Sequence, residues 1–204
     1  MLFRSFLPQS MVAALFDHAA AHEATFKSTS TFGGHDPNYR TSLGLREFGA
    51  LKPPLDEKIL EGVPSFTSAL RVRPFTPSHV ELEMVVHGDG GFYKRHTDTN
   101  TSKDNVVSQR ILTAVYYFHA QPKAYSGGAL RLFPFGGAET DARYVDIEPE
   151  HNMLLVFPSW APHEVRPVAC PSQRFADSRF SINCWVRCTK SLAAAPEVKP
   201  GPAA

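Results

Sequence analysis

The sequence predicts a mainly β fold, a sandwich or barrel of short strands with helices ahead of it. Three observations predict this. From His79 to Cys188, short β-type runs alternate with turns rich in Gly and Pro. Helical periodicity is confined to the stretch before residue 70. No G-x-G-x-x-G or Walker-type loop and no internal repeat points to an α/β or solenoid alternative.

The elements follow in order. Pro8 suits the first turn of a helix, and Leu7, Met11, Leu15 and Phe16 recur at helical spacing, so residues 8–22 are expected to be an amphipathic helix. Pro8 and Asp17 interrupt the apolar start and no clear cleavage site follows, so this segment reads as a helix and not as a signal peptide. Residues 28–38, "STSTFGGHDPN", form a loop by composition, and "YRTSLGLREF" reads as one strand. Residues 51–72 carry a second helical region, with interruptions expected at Gly62 and Pro64. The strands are expected in "HVELEMVVH", "FYKRHTD", "RILTAVYYFH", "ALRLFP", "ARYVDI", "NMLLVFP", "HEVRPV" and "RFSINCWVR". Gly127-Gly128 reads as a bend where backbones approach closely. The organisation expected is one domain over 1–190, with helical support at about 8–70, a strand core at about 79–188, and a disordered tail over 191–204.

Composition narrows the function. Twenty-one basic against 20 acidic residues give a formal charge of +1, which leaves no basic stripe for a nucleic-acid partner. No apolar run reaches the length of a membrane span. The three cysteines (170, 184 and 188) lack a C-x-x-C pair, so reduced thiols in a cytoplasmic protein are the simplest reading.

One stretch carries the chemistry. In "GFYKRHTDTN", His96 and Asp98 stand two apart, so a strand continuing through them points both to one face. His163, 65 residues beyond Asp98, is the natural third ligand, and a jelly-roll sandwich returns a late strand beside an early one. Two His and one carboxylate with open positions suit non-haem Fe(II), and zinc accepts the same set. Taken alone, His163 reads more simply as an ordinary loop residue beside Glu164. In "RFSINCWVR", Arg179, Ser181, Asn183 and Trp185 share one face, and Phe180, Ile182, Cys184 and Val186 the other. The second face belongs in a core. A buried Arg179 requires an anionic partner, and a ligand carboxylate suits a planar guanidinium, with Ser181 as a second donor. The alternative is an exposed edge strand with Arg179 solvated or paired to Asp177.

Together, H-x-D, "RILTAVYYFH", "SGGALRLFP", "VDIEPEHNMLLVFPS", "HEVRPV" and "RFSINCWVR" resemble the 2-oxoglutarate and Fe(II)-dependent dioxygenases, in their prolyl-hydroxylase branch. The similarity spans about residues 79–188 and is especially close to the hypoxia-sensing prolyl hydroxylases and their bacterial relatives. The resemblance implies a double-stranded β-helix (jelly-roll) core. It implies Fe(II), 2-oxoglutarate and O2, with ascorbate in support, and release of succinate and CO2. His96, Asp98 and His163 match the iron ligands, and Arg179 and Tyr117 match the groups that hold the far carboxylate of 2-oxoglutarate. Leu130, Val165 and Trp185 match apolar walls of that pocket; Tyr93 matches a Tyr at its mouth, and Arg110 an Arg near the substrate entrance. Asp98 argues for hydroxylation, because related halogenases carry a small residue there.

Two departures stand out. Arg179 follows His163 by 16 residues, longer than in the hypoxia-sensing enzymes, which makes Arg174 a rival clamp. His87 replaces a Tyr of those enzymes before the Gly-rich turn. Read alone, His87, His119 and His151 are expected at the surface or in turns. The expected substrate is a prolyl residue in a protein or peptide. A free amino acid or natural-product precursor is the alternative, and the loops after Asp98 and at "CPSQRFADS" would shape the choice. A nucleobase demethylase is disfavoured by Arg187 falling eight after Arg179, and zinc on the three cysteines by their spacing. A non-catalytic jelly-roll sensor is disfavoured by the intact motif.

Overall fold

The computed structural model describes residues 1–30, 34–99, 109–135 and 143–188. The tail over 191–204 and residues 100–108 of the loop after Asp98 lie outside them. The elements are β1 (Leu2–Arg4), α1 (Gln9–Ala21), β2 (Lys27–Ser28), β3 (Arg40–Thr41), β4 (Leu43–Leu45), α2 (Lys52–Leu70), β5 (Pro77–His87) and β6 (Phe92–His96). They continue with β7 (Arg110–Phe118), β8 (Ser126–Gly127), β9 (Leu130–Leu132), β10 (Val145–Ile147), β11 (Met153–Pro158), β12 (His163–Val165), β13 (Val168–Ala169) and β14 (Arg179–Cys188). The fold is mainly β, with antiparallel pairing in every described sheet.

A large sheet runs β1-β11-β7-β14-β5-β4-β2 and a smaller one β10-β9-β12-β6-β3. Period-two alternation sorts the side chains of the large sheet into two layers. Ala114, Tyr116 and Phe118 of β7, with Phe180, Ile182 and Cys184 of β14, join the core beneath α1 and α2. Val115 and Tyr117 of β7 turn the other way and pack with Leu130, Met153, Leu155 and Phe157 between the sheets. The site therefore forms on the face of the large sheet away from the helices.

Three sequence expectations need correction. Helix α2 runs unbroken through Gly62 and Pro64. Pro64 removes one helical hydrogen bond, but buried Leu55, Ile59, Val63 and Phe66 hold the helix on the core, where tertiary packing outweighs propensity. The run "YRTSLGLREF" is two strands that enter different sheets, because the chain crosses between layers at Ser42. Ser42 anchors the crossing: its Oγ accepts from Arg40 Nε at 2.9 Å and bonds the Thr29 hydroxyl at 2.7 Å. Finally, β1 is a strand that the sequence reading did not identify; the Met1 ammonium donates to Val156 O at 2.9 Å beside it. Among the described residues, no helix is long and apolar enough to cross a membrane.

Candidate metal centre

His96 ends β6 directly opposite His163 of β12. The expected continuation of the strand through Asp98 is not found. The ladder stops at His96, and Asp98 lies in a bend whose N–H donates to Ser159 O at 2.9 Å. The carboxylate still reaches the histidines. One ligand atom from each of His96, Asp98 and His163 lies within 4.8 Å of the others, and among the described residues no other three His, Cys, Asp or Glu side chains group so. Cys170, Cys184 and Cys188 form no disulfide and lie outside any such group among the described residues.

The hydrogen bonds around the triad fix its chemistry. His96 Nδ1 faces Lys94 O at 2.8 Å, and His163 Nδ1 faces Ala161 O at 2.9 Å. A carbonyl only accepts, so each Nδ1 carries a proton, which in the neutral ring leaves Nε2 as the ligand atom. Both Nε2 atoms point at Asp98, 3.7 Å from Oδ1 for His96 and 3.5 Å from Oδ2 for His163. Thr113 donates to Asp98 Oδ2 at 2.8 Å from the large sheet. Burial pushes the His96 imidazole down to about 3, His163 adds to this, and Asp98 opposes it. Burial acts to raise Asp98, but His163, His96, the Thr113 hydroxyl and Arg110 outweigh it and hold the carboxyl below its ordinary range. Two imidazoles and one carboxylate, converging and buried, are a donor set that suits a divalent first-row metal. Tyr93 stacks on His96 with ring centres 3.5 Å apart and receives the Arg40 guanidinium at 4.6 Å on its ring.

The triad opens on a cavity of about 390 Å³ between the sheets. At one end stands Arg179, 1% exposed. It lies in a central strand, not at an edge. Its Nε donates to Gly128 O at 2.8 Å, and one terminal nitrogen lies 3.3 Å from His87 Nδ1 and 3.4 Å from Ser181 Oγ. No carboxylate pairs with it among the described residues, whereas Asp177 is held by Arg174 at 2.7 Å. Gly128 makes room for this side chain, since a Cβ there would lie 2.6 Å from Arg179 Cδ and its φ is +72°. Tyr117 is fully buried beside the guanidinium, its hydroxyl without an acceptor among the described residues, and burial raises it to about 12 against the charge and hydrogen-bonding approach of Arg179, so it remains an O–H donor. Leu130 and Val165 wall this end from the smaller sheet.

Arg174 lies outside the cavity, with its side chain 74% exposed. The surface expectation for His87 and His119 is overturned. His87 is 2% exposed because the alternation of β5 continues to its last residue and turns it inward opposite Arg179. His119 is 5% exposed and packs on Tyr125 and His151.

At the other end, Trp185 carries the Arg110 guanidinium 3.8 Å above its ring, and Arg110 binds Glu81 at 2.6 Å. Sequence reasoning missed Glu81, Glu83, Arg40, Arg46 and Arg187, which also line the cavity. The signal was present in "VELEMVVH": Glu81, Glu83, Val85 and His87 share one face of β5, opposite the polar face of β14.

The sequence pattern of the 2OG-Fe(II) oxygenase superfamily matches residues 82–187. The chain is 34% identical over 169 residues to a PKHD-type hydroxylase of Synechocystis, covering 81% of this chain and 55% of that protein. It is 37% identical over 103 residues to human Egl nine homolog 1, covering 48% of this chain and 20% of that one. The chain thus spans about half the length, or less, of these relatives. A Pseudomonas putida prolyl-4-hydroxylase shares the fold with a TM-score of 0.66 at 23% identity, covering 93% of this chain and 92% of that one. A Trichoplax adhaerens prolyl hydroxylase, solved with a hypoxia inducible factor peptide, shares it with a TM-score of 0.66 at 20% identity, covering 92% and 82%. Two prolyl hydroxylases are thus among the proteins that share this fold. The matched pattern takes in just over half of the chain and includes the triad, Tyr117 and Arg179. The chain belongs to the 2OG-Fe(II) oxygenase superfamily.

Proposed function

We propose that this chain is an Fe(II)- and 2-oxoglutarate-dependent hydroxylase of an unactivated C–H bond, acting on a prolyl residue in a peptide or protein. One observation carries the reading. A guanidinium that cannot deprotonate is buried at the end of a cavity, without an anion among the described residues, and three convergent metal donors line the same cavity.

His96 and His163 would hold the iron through Nε2, and Asp98 through a carboxylate oxygen. Arg179 would take the far carboxylate of 2-oxoglutarate in a charge-assisted pair, with the Tyr117 hydroxyl and Ser181 alongside. Leu130, Val165 and Val115 exclude water from that end. Trp185 and Arg110 stand on the substrate side, and Tyr93 fixes the His96 ring by stacking. When bound, iron supplies oxygen activation and 2-oxoglutarate two electrons, so that the products are the hydroxylated carbon, succinate and CO2. The two facing sheets support a double-stranded β-helix, and we take residues 1–190 as one unit with this site at its centre. The thiols of Cys170 and Cys184, which are in no disulfide, accord with a cytoplasmic setting.

The test is succinate release, with addition of one oxygen to a prolyl peptide, by protein supplied with Fe(II), 2-oxoglutarate, O2 and ascorbate. Asp98→Ala should abolish both products. Iron-independent turnover, or activity unchanged in Asp98→Ala, would sink the reading.

A further inference from the structure

The substrate side of the cavity carries more positive charge than its own side chains neutralise. Among the described residues, four guanidiniums, of Arg40, Arg46, Arg110 and Arg187, meet the carboxylates of Glu81 and Glu83, the Asp98 carboxylate being turned to the two histidines; Arg46 is 60% exposed in its side chain and the other three at most 11%. Glu81 is shared three ways, with Arg110 at 2.6 Å, Arg46 at 2.9 Å and Arg187 at 3.3 Å. Glu83 takes Arg46 at 3.1 Å and reaches Arg40 only at 3.8 Å. Arg40 and Arg187 are each 7% exposed. Guanidiniums stay charged, and burying one without a full partner costs several kcal/mol on the order-of-magnitude scale of buried ions.

Two donors in the same wall lack an acceptor among the described residues. The Nε of Arg187 and the indole Nε1 of Trp185 are buried without a hydrogen-bond partner among the described residues. Trp185 is 5% exposed, and both residues line the cavity. Burial lowers the Arg187 guanidinium from its ordinary range, Glu81 opposes this, and Arg110 and Arg46 add to the lowering, as expected where cations outnumber anions. The place is set by register. Trp185 stands opposite Thr113, whose hydroxyl bonds the Asp98 carboxylate, and Arg110 donates to Asp98 O at 3.3 Å. Arg187 is two residues further along β14, roughly 7 Å by strand geometry.

We propose that this wall is a carboxylate-binding subsite for the substrate, formed by Arg187 and Trp185, and that the molecule hydroxylated carries a carboxylate close to the oxidised carbon. The proposal rests on the hydroxylase reading above and adds the charge class of its substrate. The carboxylate neutralises the surplus cations and accepts from the two idle donors. It comes either from the α-carboxylate of a small amino acid or from an acidic side chain within about two residues of the target in an extended peptide, a spacing that matches the span from Trp185 to Arg187.

Calorimetric titration of protein loaded with Fe(II) and 2-oxoglutarate, without O2, separates these sources. One probe pair is N-acetylproline against N-acetylprolinamide. The other is an end-capped prolyl hexapeptide with flanking Glu residues against its Gln counterpart. The anionic member of at least one pair should bind tenfold or more tightly, and the pair that discriminates identifies the source. Arg187→Gln and Trp185→Phe should each reduce the preference to threefold or less, Arg187→Lys should restore most of it, and Arg174→Gln should leave it intact. Thermal melting of each variant verifies that it is folded, and Trp185→Phe keeps the ring should Arg187→Gln not fold. Absence of preference in both pairs, or preference that survives Arg187→Gln and Trp185→Phe, overturns the subsite. Uptake of iron and 2-oxoglutarate is titrated in the same samples. Normal uptake without preference sinks the subsite alone, whereas no uptake sinks the hydroxylase reading and the subsite with it.

Discussion

Arg179 and Arg174 are five residues apart and differ in every physical respect that matters for a clamp. Arg179 is buried at the cavity end against a glycine carbonyl; Arg174 faces solvent on Asp177. Truncating a buried, hydrogen-bonded charge in a binding pair costs about 2–5 kcal/mol. Arg179→Gln is therefore expected to raise the 2-oxoglutarate concentration needed for half-maximal succinate release by roughly 30-fold or more on that scale. Arg174→Gln should change it by less than about twofold, because an exposed ion pair contributes little. Steady-state kinetics checks the ranking, and the reverse order would move the clamp. Much of this was legible beforehand. The alternation of "RFSINCWVR" places Arg179 on the face opposite the core residues, and the structure has it there. The role of His87 was not legible, because a histidine before a Gly-rich turn looks like loop until its strand partner is known.

At the scale of elements, α2 shows local preference overruled by packing. Ala is favoured over Gly inside a helix by about 1 kcal/mol, so propensity alone has Gly62→Ala stabilising the protein. The structure reverses the sign. A Cβ at position 62 would lie 2.1 Å from Phe66 Cζ, and Phe66 is 2% exposed in the core with little space to move. Overpacking of this kind costs about 1–3 kcal/mol. Gly62→Ala should lower the urea midpoint, and an increase would show that the ring yields freely. The crossing at Ser42 illustrates a different limit. Alternation tells which residues share a face, but not which of two sheets receives a strand, so "YRTSLGLREF" could not be divided from sequence. Similarly, β1 has only three residues, too few for a period to register.

For the whole molecule, the strand run from His79 to Cys188 and the helices ahead of it were readable because each repeats its period several times. The meeting of His96 with His163 was not readable from spacing alone; it depends on β6 and β12 being neighbours in one sheet. The buried polar interior also leaves a mark on stability. His87 is held well below its ordinary range by burial first, then by Arg179 and Arg40. Above about pH 6.5 neither folded nor unfolded His87 binds a proton, so it contributes no pH dependence. As the pH falls below that value the unfolded chain takes up a proton that the folded one refuses, and stability is lost. Between pH 7.5 and 5.5 the metal-free protein should lose about 1 kcal/mol more than a His87→Gln variant, by urea unfolding at both values. Equal losses would show that His87 titrates alike in both states.

The attachment of the three donors to different layers has a mechanical consequence. Asp98 is tied by its carboxylate to Thr113 on the large sheet, while His96 and His163 stand on the small one. A cation gripped by all three acts as a rivet through two plates. Loading it stiffens the seam between the layers, and with it the walls against which a second guest must seat.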